Sequence, residues 1–112
     1  MRVNLRPSAA QLNATITAER DRRTAALVRF QGRWFQADDR STAALARAVA
    51  AGEPSPWITA DNAVVAMTAE DLRELLAAIT ARATALAVKA RELKDAVNAG
   101  ALPDPTDDDL WT

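Results

Sequence analysis

A long helical repeat near the C-terminus constrains this chain of 112 residues more than any other feature. From residue 69 to about residue 99 there is neither proline nor glycine, and Gly100 and Pro103 then end the segment. Apolar residues within it recur at alternating spacings of four and three: Leu72, Leu76, Ile79, Ala83, Leu86, Ala90, Leu93 and Val97. This heptad seam predicts one continuous helix of about 45 Å, because an α-helix rises ~1.5 Å per residue.

The second half of this seam has two alternative packing partners. In the first alternative, the whole seam packs inside the chain, against short strands and against a first helix. In the second, Leu86, Leu93 and Val97 pair with another copy and form a homo-oligomer through the 69–99 helix. A domain of this size has a radius of gyration of about 13 Å, so a helix of this length extends beyond it. We favour the first alternative and keep the second as an expected interaction surface.

Two segments before the long helix have the composition of β-hairpins. Residues 27–35 hold apolar strand formers around a Gln-Gly pair that suits a tight turn. Residues 57–67 hold two further strand candidates around Asp61 and Asn62. Asparagine and aspartate tolerate positive φ and hydrogen-bond the neighbouring backbone. We therefore assign Asp61 and Asn62 to a structural turn rather than to a metal site.

Two further helices complete the predicted order. Residues 8–24 suit a helix with Ser8 as its N-cap, and residues 41–51 suit a short alanine-rich helix that ends at Gly52. Thr68 is placed as the N-cap of the long helix. The chain is thus predicted as an α+β fold in the order α-β-β-α-β-β-α, with the two hairpins in one small antiparallel sheet. Helices cover one face of that sheet, and its second face is an expected interaction surface.

Length and local composition predict the domain organisation. A chain of this length suits one domain, and we assign residues 1–100 to a single α+β domain. Trp34 and Trp57 are expected in its core, which is poor in aromatic side chains. Residues 101–112, ALPDPTDDDLWT, are acidic and interrupted by proline, which predicts a flexible tail. Trp111 near the end of that tail is a candidate interaction residue.

The absence of two residue types limits the catalytic and metal-binding sites that the chain can form. The chain has no cysteine and no histidine, so it lacks a thiol nucleophile, the commonest general base and the commonest transition-metal ligand. We therefore predict a non-enzymatic protein with no catalytic residue, no cofactor and no metal site. An enzyme that used Asp and Glu alone would need a deep pocket holding two carboxylates with raised pKa values.

A basic cluster lies in the first predicted helix. The run ERDRR at 19–23 brings together Arg20, Arg22 and Arg23, which could contact phosphate in a small nucleic-acid-binding or regulatory protein. Two acids interrupt the run, no aromatic residue is interleaved for base stacking, and the whole chain carries a net charge of −1. We therefore favour a solvated or salt-bridged helix face, and nucleic acid is not an expected partner.

The N-terminal segment MRVNLRPSAA indicates where the protein is expected to act. It lacks the apolar run of a signal peptide, and no stretch of the chain approaches the length of a membrane span. We expect the protein in a cytoplasm, or in a particle assembled there, with no membrane partner.

The order of several short motifs resembles a known family. These motifs are ITAERDRR at 16–23, F-x-G-x-x-F-Q-x-D-x-x-S at 30–41, WITADNAVVAMTA at 57–69 and ARELKD at 90–95. Together they cover roughly residues 16–98. The combination resembles a phage tail-associated domain of unknown function, found in tail and tail-fibre-associated proteins of phages and prophage-like elements.

The resemblance implies a place of action rather than a chemistry. It implies a non-enzymatic tail component or tail-assembly factor whose partners are other phage tail proteins. The place would be the virion tail, or the host cytoplasm during assembly. No catalytic or binding residue is transferred with the resemblance, because none is established for the family.

Overall fold

The computed structural model describes residues 6–112. Residues 1–5, which belong to the predicted 1–100 domain and to the segment without a signal peptide pattern, lie outside the described residues. The elements are α1 (Ala9–Thr24), β1 (Val28–Phe30), β2 (Arg33–Phe35), α2 (Asp39–Ala51), β3 (Ser55–Ile58), β4 (Val64–Met67) and α3 (Ala69–Asn98), followed by a 3-10 helix at Asp108–Trp111. The α+β class, the predicted element order and the long C-terminal helix are confirmed.

The hairpins form two separate two-stranded antiparallel sheets, whereas the sequence predicted a single sheet. Hairpin 1 comprises β1 and β2, and hairpin 2 comprises β3 and β4. Gln31 and Gly32 connect the strands of hairpin 1 with φ values of 51° and 75°, the positive values that a type I′ turn requires. Just beyond β3, the Ala60 N–H donates to the Trp34 carbonyl at 2.8 Å. That bond places the edges of β2 and β3 side by side, but the strands of hairpin 1 span only three residues each and the ladder does not continue.

The turn of hairpin 2 is built around one buried hydroxyl. Asn62 has a φ of 64°, and its N–H donates to the Thr59 carbonyl at 3.0 Å. The Thr59 hydroxyl donates to the Asp61 carboxylate, and its oxygen accepts from the Ala63 N–H at 3.0 Å. Thr59 is only 3% exposed, so these bonds satisfy a polar group that would otherwise be costly to bury. The structure therefore places Asp61 and Asn62 in a turn.

The first and last helices each begin with a reciprocal cap. At α1, the Ser8 hydroxyl oxygen accepts from the Gln11 N–H at 3.1 Å, and the Gln11 side chain accepts from the Ser8 N–H at 2.7 Å. At α3, the Thr68 hydroxyl oxygen accepts from the Asp71 N–H and the Asp71 carboxylate accepts from the Thr68 N–H, both at 3.0 Å. Each cap satisfies amide groups that have no partner within the helix. α2 begins at Asp39, earlier than the sequence predicted.

The chain divides into two compact units. The hairpin unit comprises residues 24–84, and the terminal unit comprises residues 6–23 and 85–112 among those described. α3 therefore contributes its first part to one unit and its second part to the other. The core of the hairpin unit combines side chains from both hairpins, α2 and the start of α3: Val28, Phe35, Ala37, Leu45, Met67, Leu72, Leu75 and Ile79.

The terminal unit has its own apolar cluster. Its buried side chains come from α1, from the second part of α3 and from the C-terminal segment: Leu12, Ile16, Leu86, Ala90, Val97 and Trp111, with Leu93 and Leu110 packed against them. Within this unit α1 covers the second half of the heptad seam. The seam therefore packs inside the chain, as in the first of the two alternatives.

The C-terminal segment differs from the flexible tail that its composition predicted. Residues Asp108–Trp111 form a 3-10 helix, and the Asp107 carboxylate accepts from the Asp109 N–H at 3.0 Å. Trp111 is 8% exposed, and its indole N–H donates to the Pro105 carbonyl at 2.8 Å. A buried aromatic ring with its polar atom satisfied holds the segment in place. Composition alone could not reveal this site, because α1 and α3 build it.

Leu93→Glu is expected to destabilise the terminal unit without changing the mass of the protein in solution. Leu93 packs against the buried cluster, and a carboxylate there loses apolar contacts and part of its hydration. The free energy of unfolding should fall by about 2 kcal/mol or more. Val88→Glu, at a position on α3 that is 54% exposed, is the control and should change it by less than about 0.5 kcal/mol. Thermal unfolding and light scattering measure both, and release of folded monomers by Leu93→Glu would contradict the internal packing.

Candidate interaction surface

The outward side of hairpin 1 presents an aromatic ring and a charge. Opposite residues of an antiparallel pair point to the same face, and successive residues alternate between faces. Val28 pairs with Phe35 and both are buried, at 7% and 1% exposed. Trp34 pairs with Arg29 on the other face and is 48% exposed. The Arg29 guanidinium lies 5.5 Å from the centre of the Trp34 ring, within the range of a cation–π interaction.

The outward side of hairpin 2 is entirely apolar. Pro56 pairs with Ala66 and Ile58 pairs with Val64, and all four side chains are exposed. Ile58 is 59% exposed and Val64 is 70% exposed. An antiparallel sheet with one face in water normally carries polar residues on that face. We call these four residues the apolar outer face, and we treat it as a candidate interaction site.

An open groove adjoins the exposed ring of Trp34. Its lining comes from hairpin 1 and from the turn of hairpin 2: Leu27, Gln31, Gly32, Arg33, Trp34, Ala60 and Asp61. The hydrogen bond from the Thr59 hydroxyl lowers the pKa of Asp61, and the positive charge of Arg33 acts in the same direction. Asp61 is therefore ionised at neutral pH and acts as an acceptor rather than as an acid. The groove thus combines the apolar ring of Trp34 with the positive charge of Arg33 and the negative charge of Asp61, and this combination suits contact with a polypeptide.

A second groove contains no ionisable side chain. It is lined by Gln36, Ser41, Ala44, Pro56, Trp57, Ile58, Thr59, Ala60 and Asn62. Asp61 is the carboxylate that lines the first groove. Within residues 6–112, no three Asp, Glu, Cys or His side chains are placed to hold a metal ion. In the same part of the chain, no helix is long and apolar enough to cross a membrane.

Comparison with known families assigns the chain to one of them. Residues 7–110 match the family described as Domain of unknown function (DUF4376). The chain belongs to this family. The match confirms the predicted membership in a domain of unknown function, and its description says nothing about phage tails. No curated protein and no solved structure matches the chain.

The predicted basic cluster of this DUF4376 chain is paired with carboxylates. Arg20 donates to the Asp21 carboxylate at 2.9 Å, and Arg22 donates to the Glu19 carboxylate. Arg23 donates to Glu19 at 2.9 Å, and Glu19 is only 9% exposed. The arrangement is the salt-bridged helix face that the sequence favoured. The three guanidinium groups are engaged within the chain, which leaves them less available for phosphate.

Arg23 also holds the C-terminal segment to α1. Its guanidinium donates to the Asp108 carboxylate at 2.5 Å, across 85 residues of sequence, and lies 5.4 Å from the centre of the Trp111 ring. The Arg23 side chain is 16% exposed. Two residues that the sequence analysis assigned to different surfaces therefore meet, and their contact is part of the packing of the terminal unit.

The residues that the sequence predicted as interaction residues are not the ones that the structure exposes. Leu86, Val97 and Trp111, predicted as interaction residues, are buried in the terminal unit, and Leu93 packs against them. Trp34 was expected in the core, and that expectation is wrong, because the ring is 48% exposed. The exposed positions of hairpin 2 were not singled out, since every residue of β4 is apolar and no alternation indicates the outward side. The pairing register supplies that signal.

Arg23→Ala is expected to lower the melting temperature by on the order of 5 °C, because it removes charge-assisted bonds to Glu19 and Asp108 and the contact with Trp111. Arg20→Ala, which removes an exposed pair with Asp21, is the matched control and should change the melting temperature little. Differential scanning calorimetry measures both. Equal effects of the two substitutions would contradict the role assigned to Arg23.

Glu19 is expected to contribute to stability in a pH-dependent way. The hydrogen bond from Arg22 lowers the pKa of Glu19 below its ordinary value of 4.5, and Arg23 adds to this effect. A lowered pKa means that the unfolded chain binds the proton more readily, so this contribution is full above pH 4.5 and is lost as the pH falls through the folded-state pKa. Glu19→Gln should reduce the loss of melting temperature between about pH 5 and pH 2. Glu74→Gln is the exposed control, and identical pH profiles for Glu19→Gln and the unmodified protein would refute the prediction.

Proposed function

We propose that this chain is a non-enzymatic component or assembly factor of a phage or prophage tail, acting through protein–protein contacts. The resemblance of its motifs to the phage tail-associated domain supports the place of action. The apolar outer face of hairpin 2 supports the mode of action and is the observation that carries the proposal. On this view the partners are other tail proteins, and the chain works in the virion tail or in the host cytoplasm during assembly.

The apolar outer face is suited to such contacts. Ile58 and Val64 lie opposite each other at the turn end of the exposed side, with Pro56 and Ala66 beside them. Fully buried apolar anchors at the centre of an interface contribute most of its binding energy. Without a partner, the same side chains remain in water at a cost of roughly 25 cal/mol for each Å² of apolar surface. A tail protein that covered this face would remove that cost.

The alternative function, a nucleic-acid-binding or regulatory protein that uses Arg20, Arg22 and Arg23, has less support. The three arginines are paired with Glu19 and Asp21 inside the chain. A protein that used them for binding would have to break these pairs to contact phosphate. Binding to DNA that weakens steeply with added salt would favour this alternative.

A homo-oligomer through the 69–99 helix also has less support than an assembly through another surface. Leu86 and Val97 are 8% and 4% exposed, and α1 packs on the same side of the helix within the terminal unit. Pairing of this stretch with a second copy would require α1 to leave. Any self-association is therefore expected to use a different part of the chain.

Genetic removal of the chain tests its place of action. In a phage or induced prophage that encodes it, deletion is expected to give particles without complete tails when viewed by electron microscopy. Purified virions then separate the two forms of the proposal. A tail component remains in the particle and is detected by mass spectrometry, whereas an assembly factor is absent from it. Normal tails in the deletion strain, together with absence from virions, would overturn the proposal.

Ile58→Lys tests whether the apolar outer face is the contact surface. A charge on this apolar face should abolish complementation of the deletion, because the partner would have to bury an unpaired ammonium group. Val88→Lys, at a position on α3 with similar exposure of 54%, is the control and should complement normally. Circular dichroism confirms that both variants fold. Full complementation by Ile58→Lys would show that tail contacts lie elsewhere.

A further inference from the structure

The hydrogen bonds of hairpin 2 reveal which backbone groups of β4 point away from β3. The Thr59 N–H donates to the Ala63 carbonyl at 2.9 Å, while the Ala63 N–H bonds to the Thr59 hydroxyl, so these two residues occupy a hydrogen-bonded position that continues the ladder. In an antiparallel ladder such pairs alternate with non-bonded pairs. In the observed register the next bonded pair is Trp57 with Val65. The N–H and C=O groups of Val64 and Ala66 therefore point to the outer edge of β4.

The opposite edge of the same hairpin, along β3, is closed. Pro56 has no N–H to offer at that edge. Beyond the end of the strand, the Ala60 N–H is bonded to the Trp34 carbonyl of hairpin 1. Proline and coverage by another segment are two of the devices by which natural sheets protect an edge from pairing with other chains. β3 has both.

The edge along β4 has no such protection. The segment AVVAM at 63–67 contains no charge, proline or glycine. Among the described residues, no loop or side chain forms a hydrogen bond with the backbone of Val64 or Ala66. Val64 is 70% exposed, the highest value among the large apolar residues described. A neutral, uncovered edge of this composition is a template for an additional strand.

We propose that β4 pairs antiparallel with β4 of a second copy, so that the protein dimerises through this edge. A two-fold axis at Val65 would bring Val64 opposite Ala66 of the second copy, and Ala66 opposite its Val64. Each of these two pairs then exchanges two backbone hydrogen bonds, so every outward group of both strands is satisfied. The edge is self-complementary because its side chains are neutral and because a valine faces the smaller alanine.

Pairing with a second copy at the β4 edge fits the energetics of small sheets. A two-stranded hairpin is marginally stable in water, and either additional strands or packing against a helix stabilises it. Pairing of two copies of hairpin 2 gives a four-stranded sheet ordered β3-β4-β4-β3, with a protected β3 at each end. Closed two-fold pairing also uses up both open edges, which prevents further growth into fibres. The apolar outer faces of the two copies become one continuous surface.

This inference does not rest on the proposed function. The dimer uses the backbone edge of β4, whereas the proposed tail contact uses the side chains of the apolar outer face. Ala66→Pro, which changes the edge but keeps the face apolar, and Ile58→Lys, which adds a charge to the face on β3, therefore separate the two ideas.

The first test is a concentration series on the complete protein. Light scattering should give a mass that rises towards twice the monomer value as the concentration increases. Amide hydrogen exchange, followed by NMR, should slow at Val64 and Ala66 over the same range, while Val65, already bonded to β3, changes less. A monomer mass at every concentration up to about 1 mM, with exchange at Val64 and Ala66 unchanged, would overturn the proposal.

Two edge variants and one face variant then locate the contact. Ala66→Pro removes an outward N–H without removing a bond to β3, and Val64→Lys adds a charge at the edge. Each should raise the dimer dissociation constant by about tenfold or more. Ile58→Lys is the matched control, because it adds the same charge to the partner of Val64 on β3, away from the edge. It should change the constant by less than about threefold.

The variants give decisive outcomes even if one of them does not fold. Circular dichroism identifies an unfolded Ala66→Pro variant, and Val64→Lys then carries the test. Dimers that survive both edge substitutions would overturn the proposal, as would dimers that Ile58→Lys dissociates as fully as Val64→Lys does. Dimer loss in Ala66→Pro, which keeps the outer face apolar, with tail assembly intact would uphold the dimer and leave the proposed function standing. Dimerisation with no tail phenotype in the deletion strain would uphold the dimer alone.

Discussion

The apolar face of α3 is the constraint on which the rest of the structure depends. Its first part supplies Leu72, Leu75 and Ile79 to the core of the hairpin unit. Its second part supplies Leu86, Ala90 and Val97 to the cluster of the terminal unit. Short hairpins bury too little apolar surface to be stable alone, so the hairpin unit needs the apolar face of α3 to pack against. The heptad pattern of a coiled coil is thus used inside one chain.

The end of α1 is fixed by a single side chain from that same helix. The Arg82 guanidinium donates to the carbonyls of Thr24, Ala26 and Leu27 at 2.9, 2.5 and 2.9 Å. Carbonyl groups at a helix C-terminus lack partners within the helix and carry partial negative charge, so a cation satisfies both needs. Burial lowers the pKa of Arg82, but an arginine remains charged at any physiological pH. The position of hairpin 1 therefore depends on a long-range contact that no local pattern reveals.

Local signals predicted most of the fold, and long-range contacts account for most of what they missed. The sequence predicted the heptad seam, the Gln31-Gly32 turn and the Thr68 cap, because neighbouring residues specify each of them. The outward position of Trp34 was not readable, because every large apolar residue of a small domain is a candidate for the core. The docking of Trp111 was missed because its partner Arg23 lies far away in sequence. The second face of the predicted sheet was expected to be an interaction surface, but the sequence did not indicate which residues are exposed there.

The contact between Arg23 and Asp108 has a consequence for how the chain folds during synthesis. These residues are 85 positions apart, so the terminal unit cannot close until the C-terminal segment has left the ribosome. The hairpin unit is contiguous and can form earlier. Until the second part of α3 and the C-terminal segment emerge, Leu12 and Ile16 of α1 lack the side chains that cover them and remain open to chaperones or to neighbouring nascent chains. A strand edge that is free in the hairpin unit is available during the same interval, so assembly between copies can begin before either copy is complete.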